Sequence, residues 1–458
     1  MLDKYTAALA WLYSFADFER GTGYNAKAPF EHGLLRTKLL LSRLGDPQDG
    51  MPIVHIAGSK GKGSVCALVA SAAQAAGYKT GLYTQPHLHS FRERLQINRQ
   101  PIDTGSFVEL TDRIRLVVDS LQDSNSLDGT FTTFELSTAM ALDWFQSEAV
   151  DLAVIEVGLG GRLDATNVVN PKITAITNIV LEHVNVLGPT LPAIAREKAA
   201  IAKPGIDMLV SCQRADVIDA IREIAKATGA TVGIVAPLET NGIAVWSEGR
   251  ATMLARDPEV GNDLLVGLAG SHQAQNAGLA YAICRGLHRS GMSIPRKAIQ
   301  VGFSSTKWPA RIELVHNNPL VVIDGAHTIE SIEAVLTTLS GQLHHTHGPV
   351  IFGALRDKPI RGMAQALHQY ATEFIVIRPS HPRGADAKDV ISQLSNGTRA
   401  KEANTASDAL THAMTTVRRD EAVLAIGSLA VAADVRAAAG LPIFKDPPFA
   451  DLTQHAPH

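Results

Sequence analysis

The residues with the plainest chemistry are Gly58-Ser59-Lys60-Gly61-Lys62-Gly63-Ser64, which follow an apolar run from Pro52 to Ala57 and precede an alanine-rich segment from Val65 to Ala76. A short buried strand, a glycine-rich turn and a helix make the setting that a phosphate-binding loop needs. Glycines let successive backbone N–H groups close around an anion, and the helix N-terminus adds a favourable dipole. In that reading Lys62 reaches the outer phosphates, and the Ser64 hydroxyl sits on the Mg²⁺ that bridges them. The spacing departs from G-x-x-x-x-G-K-[ST], because Gly63 stands between the lysine and the serine. A turn that only joins strand to helix is the competing reading, and it leaves the coincidence of glycine, lysine and serine unexplained. The expectation is a nucleotide site.

Other candidates lie further along. The apolar stretch from Asp151 to Val157 carries Glu156 at its end and runs into Gly158-Leu159-Gly160-Gly161-Arg162. A carboxylate closing an apolar strand is costly unless it is paired or metal-bound, and a metal is expected here. A second strand, Lys79 to Thr84, leads into Gln85-Pro86-His87-Leu88-His89-Ser90-Phe91-Arg92-Glu93-Arg94. Loops leaving strands at the edge of the phosphate loop are where open α/β sheets bind ligands. His87, Arg92 and Arg94 could hold an anionic or heteroaromatic substrate; a solvated loop with surface salt bridges fits their spacing equally well. Taken alone, His183 reads as a hydrogen-bonded structural histidine and Lys198 as a surface lysine.

These residues need elements to position them. Helical patterns cover 3–45, with Leu9, Trp11, Leu12 and Phe15 on one stripe and Leu34, Leu35, Leu40 and Leu41 on another. Further helices are expected near 105–122, after Thr132-Thr133-Phe134-Glu135, from about Pro192 to Lys198, and from about Asn276 to Gly291. A strand runs from Lys172 to Ile179, two more flank a helix between Met208 and Pro237, and a less patterned region follows to Gly261. A polar, proline-ended stretch from Ser304 to Pro309 marks a linker. Beyond it strands Leu320–Asp324, Val350–Leu355, Glu373–Arg378 and Ala422–Ile426 alternate with helices, and Pro447 to His458 reads as a frayed tail.

Composition sets the frame. A chain of 458 residues is too long for one core. Hydrophobic residues at 45% and charged residues at 19% suit a globular protein, and a net charge of −3 offers no basic field for nucleic acid or anionic membrane. Cys66, Cys212 and Cys284 lack metal-ligand spacing and read as buried thiols of a reducing cytoplasm. No apolar run approaches membrane-spanning length, so a cytoplasmic location is expected.

The set of motifs resembles the folylpolyglutamate synthase/dihydrofolate synthase family of the Mur ligase superfamily. The variant phosphate loop, Pro86-His87-Leu88 with Phe91-Arg92-Glu93-Arg94, and Glu156 to Asn167 all look like that family's signatures. So do Thr177-Asn178-Ile179, Glu182-His183, Leu187-Gly188-Pro189-Thr190-Leu191 and Glu197-Lys198. His272-Gln273 with Asn276, Trp308-Pro309 with Arg311, Asp324-Gly325-Ala326-His327 and Gly427-Ser428-Leu429 extend the resemblance from near residue 5 to about residue 437. The chain departs from the family at Glu182 (usually Asp), Ala200 and Ala310 (usually Gly), and Thr328-Ile329 (usually Asn-Pro).

The resemblance implies an α/β protein with an N-terminal phosphate-loop-type Mur ligase ATPase domain over 1–303, a linker over 304–311, a smaller Rossmann-like domain over 312–440 and a tail over 441–458. It implies Mg²⁺, in two sites, held by Ser64, Glu156, His183 and a carbamylated Lys198, with a monovalent cation as a further candidate. ATP would be bound by Gly58 to Ser64, Asn276, Arg311, Asp324 and His327; the pterin side would use Gln85, Pro86, His87 and Arg92. Lys62, His183 and Lys198 would serve the chemistry, which joins L-glutamate to dihydropteroate or a folylpolyglutamate through an acyl phosphate, in a monomer. Two alternatives stand beside it. One is a Mur-type ligase with another acid or amino acid; the other is a nucleotide-binding switch, which would not need Glu156, His183 and Lys198 as well as the loop.

Overall fold

A computed structural model describes residues 3–17, 30–123, 130–247, 250–395, 397–447 and 452. The apolar runs become strands β1 (Ile53–Ala57), β2 (Thr80–Tyr83), β3 (Leu95–Ile97), β4 (Gln100–Pro101), β5 (Leu152–Glu156), β6 (Ile173–Ile176), β7 (Asp207–Ser211) and β8 (Thr231–Val235). They form one sheet in the order β4-β3-β2-β5-β1-β6-β7-β8. All neighbours are parallel except at the β3 and β4 edge. Every residue of β1, β5 and β6 is buried, as near-continuous apolar strands covered on both faces must be. Leu9, Leu12, Phe107, Phe131 and Phe145 fill one hydrophobic cluster, and Ile194, Ile201, Val210 and Ile221 fill another.

The order places β1 at a switch point: the chain reaches β2 and β5 on one side and β6 on the other. Ligands bind open α/β sheets in the crevice beyond such a point, at the carboxyl ends of the strands. Register brings Glu156 beside Ile56, and Ile176 beside Ala57, so the segments after β5 and β6 flank the turn after β1.

A second group of strands, β9 (Thr240–Ser247), β10 (Arg250–Arg256) and β11 (Asp263–Val266), makes a small antiparallel sheet. Then β12 (Glu313–Asn317), β13 (Leu320–Ile323), β14 (Gly348–Phe352), β15 (Ala371–Val376), β16 (Ala400–Glu402) and β17 (Ala422–Ile426) pair in the order β12-β13-β17-β14-β15-β16. This sheet is parallel apart from β12.

The chain divides into two compact units, Met1–Pro237 with Gln275–Phe303 and Lys445–His458, and Leu238–Ala274 with Ser304–Phe444. Residues 238–274 therefore group with the later sequence, although the sequence pattern assigns them to the first 303. The reason is packing: β10 contacts β12, and Ala251 and Ala269 join the core of the second unit. The last segment differs from expectation too. Leu452, within the stretch expected to fray, is buried in the first unit's core, and Asp446 just before that stretch is hydrogen-bonded. Cys66 and Cys284 are buried as expected, but Cys212 is exposed because it stands just past the end of β7. The polar break at 124–129 lies outside the described residues. Among the described residues no helix is long and apolar enough to cross a membrane.

Candidate active site

The chain leaves β1 through Gly58 (φ 143°), passes Gly61 (φ 91°) and enters the helix Lys62–Ala75. Both glycines are required. A Cβ at Gly58 would collide with Thr177 Oγ1 and one at Gly61 with Asn276 Oδ1, and both backbones lie where L side chains are strained. The turn is pinned from the neighbouring strand: the Asn178 carbonyl accepts from Ser59 N–H (2.9 Å) and Lys60 N–H (3.2 Å), and the Ser59 hydroxyl donates to the Val180 carbonyl. Ser64, in the first turn of the helix, is buried, and so is Asn276.

Two lysines converge on one atom. Lys62 Nζ donates to the Gly58 carbonyl at 3.1 Å, and Lys198 Nζ donates to the same oxygen at 2.9 Å. Glu156 Oε1 lies 3.9 Å from Lys62 Nζ, Glu182 Oε1 lies 3.0 Å from Lys198 Nζ, and Glu182 Oε2 lies 4.0 Å from Lys60 Nζ. Three ammonium groups thus face the Glu156 and Glu182 carboxylates around the loop, with the buried Asp164 carboxylate also acting on Lys198. Glu156 is 3% exposed and Lys198 2%, so their charges are screened weakly.

Burial dominates the lysine. It brings the Lys198 ammonium down to about 8, helped by the nearby Lys62 charge and opposed by Glu182. Burial pushes the Glu182 carboxyl upward, but Lys198, Lys62 and Lys60 together hold it below the usual carboxylate range. Lys198 is therefore no surface lysine. The last turn of its helix, Leu191–Ala199, is clamped by Arg162 N–H on the Glu197 carbonyl (3.0 Å), beside Gly161.

Among the described residues no three His, Cys, Asp or Glu side chains group as a metal cage. The donors present suit a hard cation that takes phosphate oxygens and water for the rest of its shell: the Glu156 carboxylate, the Ser64 hydroxyl, and the buried Gln85 Oε1 and Thr177 Oγ1, which have no hydrogen-bond partner. His183 is exposed, at φ 46°, and caps the short helix Val184–Leu187.

The 85–94 loop is tied to this centre at its start. Gln85 N–H donates to Glu156 Oε2 (3.2 Å), and Gln85 Nε2 donates to the Glu156 carbonyl (3.1 Å). Glu93 accepts N–H bonds from Leu88, His89 and Ser90, folding the loop around one half-buried carboxylate. Arg94 Nε donates to His87 Nδ1 (2.9 Å) while its guanidinium covers the Phe91 ring; Arg92 donates to the Ile102 carbonyl and lies over Tyr5. His87, Arg92 and Arg94 are thus engaged in shaping the loop itself.

The remaining expected residues lie in the second unit. Asp324, just past β13, accepts from Ile312 N–H (2.8 Å) and Ala326 N–H (2.7 Å); burial raises its carboxyl against the pull of Arg311. His327 Nδ1 lies 2.9 Å from the Gly325 carbonyl, and burial with Arg311 nearby brings His272 down to about 4. Two of the chain's departures are explained locally. Thr328 caps the helix Ile329–Gly341 by accepting from Ser331 N–H, the service a side-chain amide gives at that position. Ala310 keeps a positive φ of 57°, a conformation that favours glycine. A cavity of about 690 Å³ lined by Asn317, Leu320, Arg418 and Glu421 opens at the opposite end of β13 and β17 from Asp324.

Sequence reasoning missed three participants. Glu182 stood out as a motif residue and a departure with no role assigned, and its carboxylate turns out to hold Lys198. Asp164, buried and accepting from Leu159 and Thr166 N–H, braces the turn after Glu156; its place inside a motif was the available signal. Asp446 carried no signal at all.

Two family profiles match the chain, a Mur ligase middle domain over residues 56–284 and a Mur ligase, glutamate ligase domain over residues 310–429. A dihydrofolate synthase/folylpolyglutamate synthase of Bacillus subtilis (strain 168) is 32% identical over 447 residues, which is 95% of this chain and 99% of that one. The Escherichia coli (strain K12) protein of the same description is 30% identical, covering 88% of this chain and 90% of its own. Among solved structures, Mycobacterium tuberculosis folylpolyglutamate synthase complexed with ADP and AMPPCP matches with a TM-score of 0.81 at 30% identity, covering 90% of this chain and 96% of that one. An FPGS–AMPPCP–folate complex matches with a TM-score of 0.76 at 28% identity, covering 94% and 98%.

Proposed function

Because the chain belongs to the folylpolyglutamate synthase/dihydrofolate synthase family of Mur ligases, we propose that it joins L-glutamate to a folate-type carboxylic acid, dihydropteroate or a folylpolyglutamate, with ATP. It is an ATP-dependent ligase, and the observation that carries the finer reading is the meeting of Lys62 and Lys198 on the Gly58 carbonyl between Glu156 and Glu182. A nucleotide switch needs only the loop; a ligase must also stabilise charge that moves from an attacking carboxylate to a leaving phosphate.

The loop amides and Lys62 hold the outer phosphates of ATP, and Asn276 borders the loop at Gly61. The acid's carboxylate oxygen attacks the γ-phosphorus, the bond to the bridging oxygen breaks, and ADP leaves an acyl phosphate. The glutamate amine then attacks the acyl carbon, loses a proton and expels inorganic phosphate. Glu156, Ser64, His183 and a carbamate on Lys198 would hold Mg²⁺, whose charge offsets that of the phosphates when bound. A carbamate forms from CO₂ and a neutral amine, and a buried Lys198 whose ammonium is brought to about 8 supplies one. Gln85, Pro86, His87 and Arg92 form the acid's side of the site, and Arg311, Asp324 and His327 are further nucleotide-binding residues. The same reading makes the protein a cytoplasmic monomer.

The test is ATP turnover with each acid, with and without L-glutamate. Dihydropteroate or a reduced folate should stimulate ADP formation, and glutamate should complete the cycle. Stimulation by a muramyl peptide and not by either pterin acid would overturn the substrate assignment.

A further inference from the structure

The C-terminal segment reaches into the loop that the function assigns to the acid. Asp446 Oδ1 accepts from the Tyr5 hydroxyl (2.6 Å) and the Ser90 hydroxyl (2.5 Å), and Asp446 Oδ2 accepts from Phe91 N–H (2.7 Å). Ser90 and Phe91 are fully buried. Three donors on one carboxylate is a specific arrangement, since charge-assisted hydrogen bonds are about twice as strong as neutral ones. Six residues on, Leu452 is 2% exposed and packs in the same core cluster as Phe91 and Phe107. The segment is thus held at a polar point and at an apolar one.

The polar point falls on the part of the loop that carries His87 and Arg92. Ser90 caps the turn Phe91–Arg94, with Glu93 returning to its backbone. Arg92, next along, lies over the ring of Tyr5, which is itself bonded to Asp446. Phe91, whose amide is bonded to Asp446, contacts the His87 ring at 5.7 Å and lies under Arg94, which in turn holds His87. Moving the Asp446 carboxylate would release Tyr5, Ser90 and Phe91 together, and with them the orientation of Arg92 and His87. The phosphate loop is tied elsewhere, to Asn178, Val180, Glu156, Glu182 and Lys198.

We propose that Asp446 is a positioning residue for acid recognition: the C-terminal segment fixes the loop 85–94 in the shape that accepts the pteridine acid, without touching the nucleotide centre. The proposal rests on the acid-side assignment of that loop, and two readouts separate the two. Hydrogen exchange at residues 88–92 reports the segment's grip whatever the substrate is. Steady-state kinetics with dihydropteroate report its use in recognition.

In Asp446→Ala the amides of residues 88–92 should exchange about tenfold faster or more, the scale of losing hydrogen bonds to a charged group. The KM for dihydropteroate should rise by about tenfold, with kcat and the KM for ATP within about twofold of the wild type. Asp446→Asn keeps an acceptor for Phe91 N–H and should fall between the two. Unchanged exchange at 88–92 would remove the grip itself. Faster exchange with an unchanged KM for dihydropteroate, in an enzyme that turns over, would leave the segment structural and overturn its part in recognition. Equal rises in the KM for ATP and dihydropteroate would do the same. If Asp446→Ala folds poorly, Ser90→Ala removes a single donor from the same carboxylate and should give a smaller shift in the same direction. An enzyme in which no pterin acid stimulates ATP turnover would fail the substrate reading while the exchange result stands on its own.

Discussion

The phosphate loop and the loop of residues 85–94 leave the same edge of one sheet, from the parallel strands β1 and β2, yet they use charge in opposite ways. Around Gly58 the charged groups face one another, with Lys60, Lys62 and Lys198 set against Glu156 and Glu182. In 85–94 the charges are turned inward: Glu93 on three backbone N–H groups, Arg94 on His87, Arg92 on the Ile102 carbonyl. On the proposed function, the first loop would bind phosphate through its charges. The second uses charge to hold a shape, and shape is what distinguishes one acid from another. A triphosphate needs charge neutralised, whereas a pteridine needs a surface that fits.

The largest effects should break the first loop alone. Lys62→Ala and Lys198→Ala should each reduce ligation by roughly 100-fold or more while leaving the far-ultraviolet circular dichroism unchanged, because each removes preorganised charge where charge moves. Near-wild-type turnover of either variant at saturating ATP and Mg²⁺ would dissolve the distinction between the loops. Glu93→Ala should do the reverse. It strips three N–H groups of a half-buried charged acceptor and should lower stability by roughly 2 kcal/mol in urea unfolding, with ATP affinity unchanged. A matching loss of ATP affinity would show that the loops are not independent.

A pH titration sharpens the contrast from beneath. His55, in β1, is fully buried against Thr166, and burial brings its imidazole down to about 3, with Lys203 adding to the shift. The unfolded chain therefore binds a proton near pH 6.5 that the folded one refuses until about pH 3, so this residue's stability is present above 6.5 and is lost as the pH falls. The loss at pH 5 is at most about 2 kcal/mol. His55→Gln should flatten the stability profile between pH 6.5 and 5, and an unchanged slope in thermal unfolding would exclude His55 as its source. The smallest effect belongs to Arg162→Ala. Its exposed guanidinium pairs with Glu197 at 3.1 Å, and removing it should change stability by no more than about 0.5 kcal/mol, since the clamp on Lys198 runs through the Arg162 backbone. A drop beyond about 1 kcal/mol would mean the side chain carries the clamp.

Much of this was legible in advance because it is local. Apolar runs of five residues must be buried strands, glycines at 58 and 61 must supply backbone that other residues resist, and an isolated carboxylate at the end of β5 must find a cation. Residues 238–274 were not legible: β9 to β11 form a hairpin-like sheet whose alternation is weak, and its partner β12 is about fifty residues away. The spacing of Arg92 and Arg94 fitted a substrate site and a solvated loop equally, because spacing shows charge but not where a guanidinium points.

The amino-acid sequence by itself determined the α/β class, the phosphate loop and its lysine, and the pairing of function with that loop, because each depends on residues within a few positions of one another. Tertiary structure alone decided that Lys198 is buried beside Lys62, that Glu182 holds it, and that Asp446 ties the chain's last segment to Ser90 and Phe91. Those contacts join residues from 16 to 356 positions apart. A lysine's charge state and a loop's shape follow from what surrounds them in space, and folding brings that environment together from distant parts of the chain.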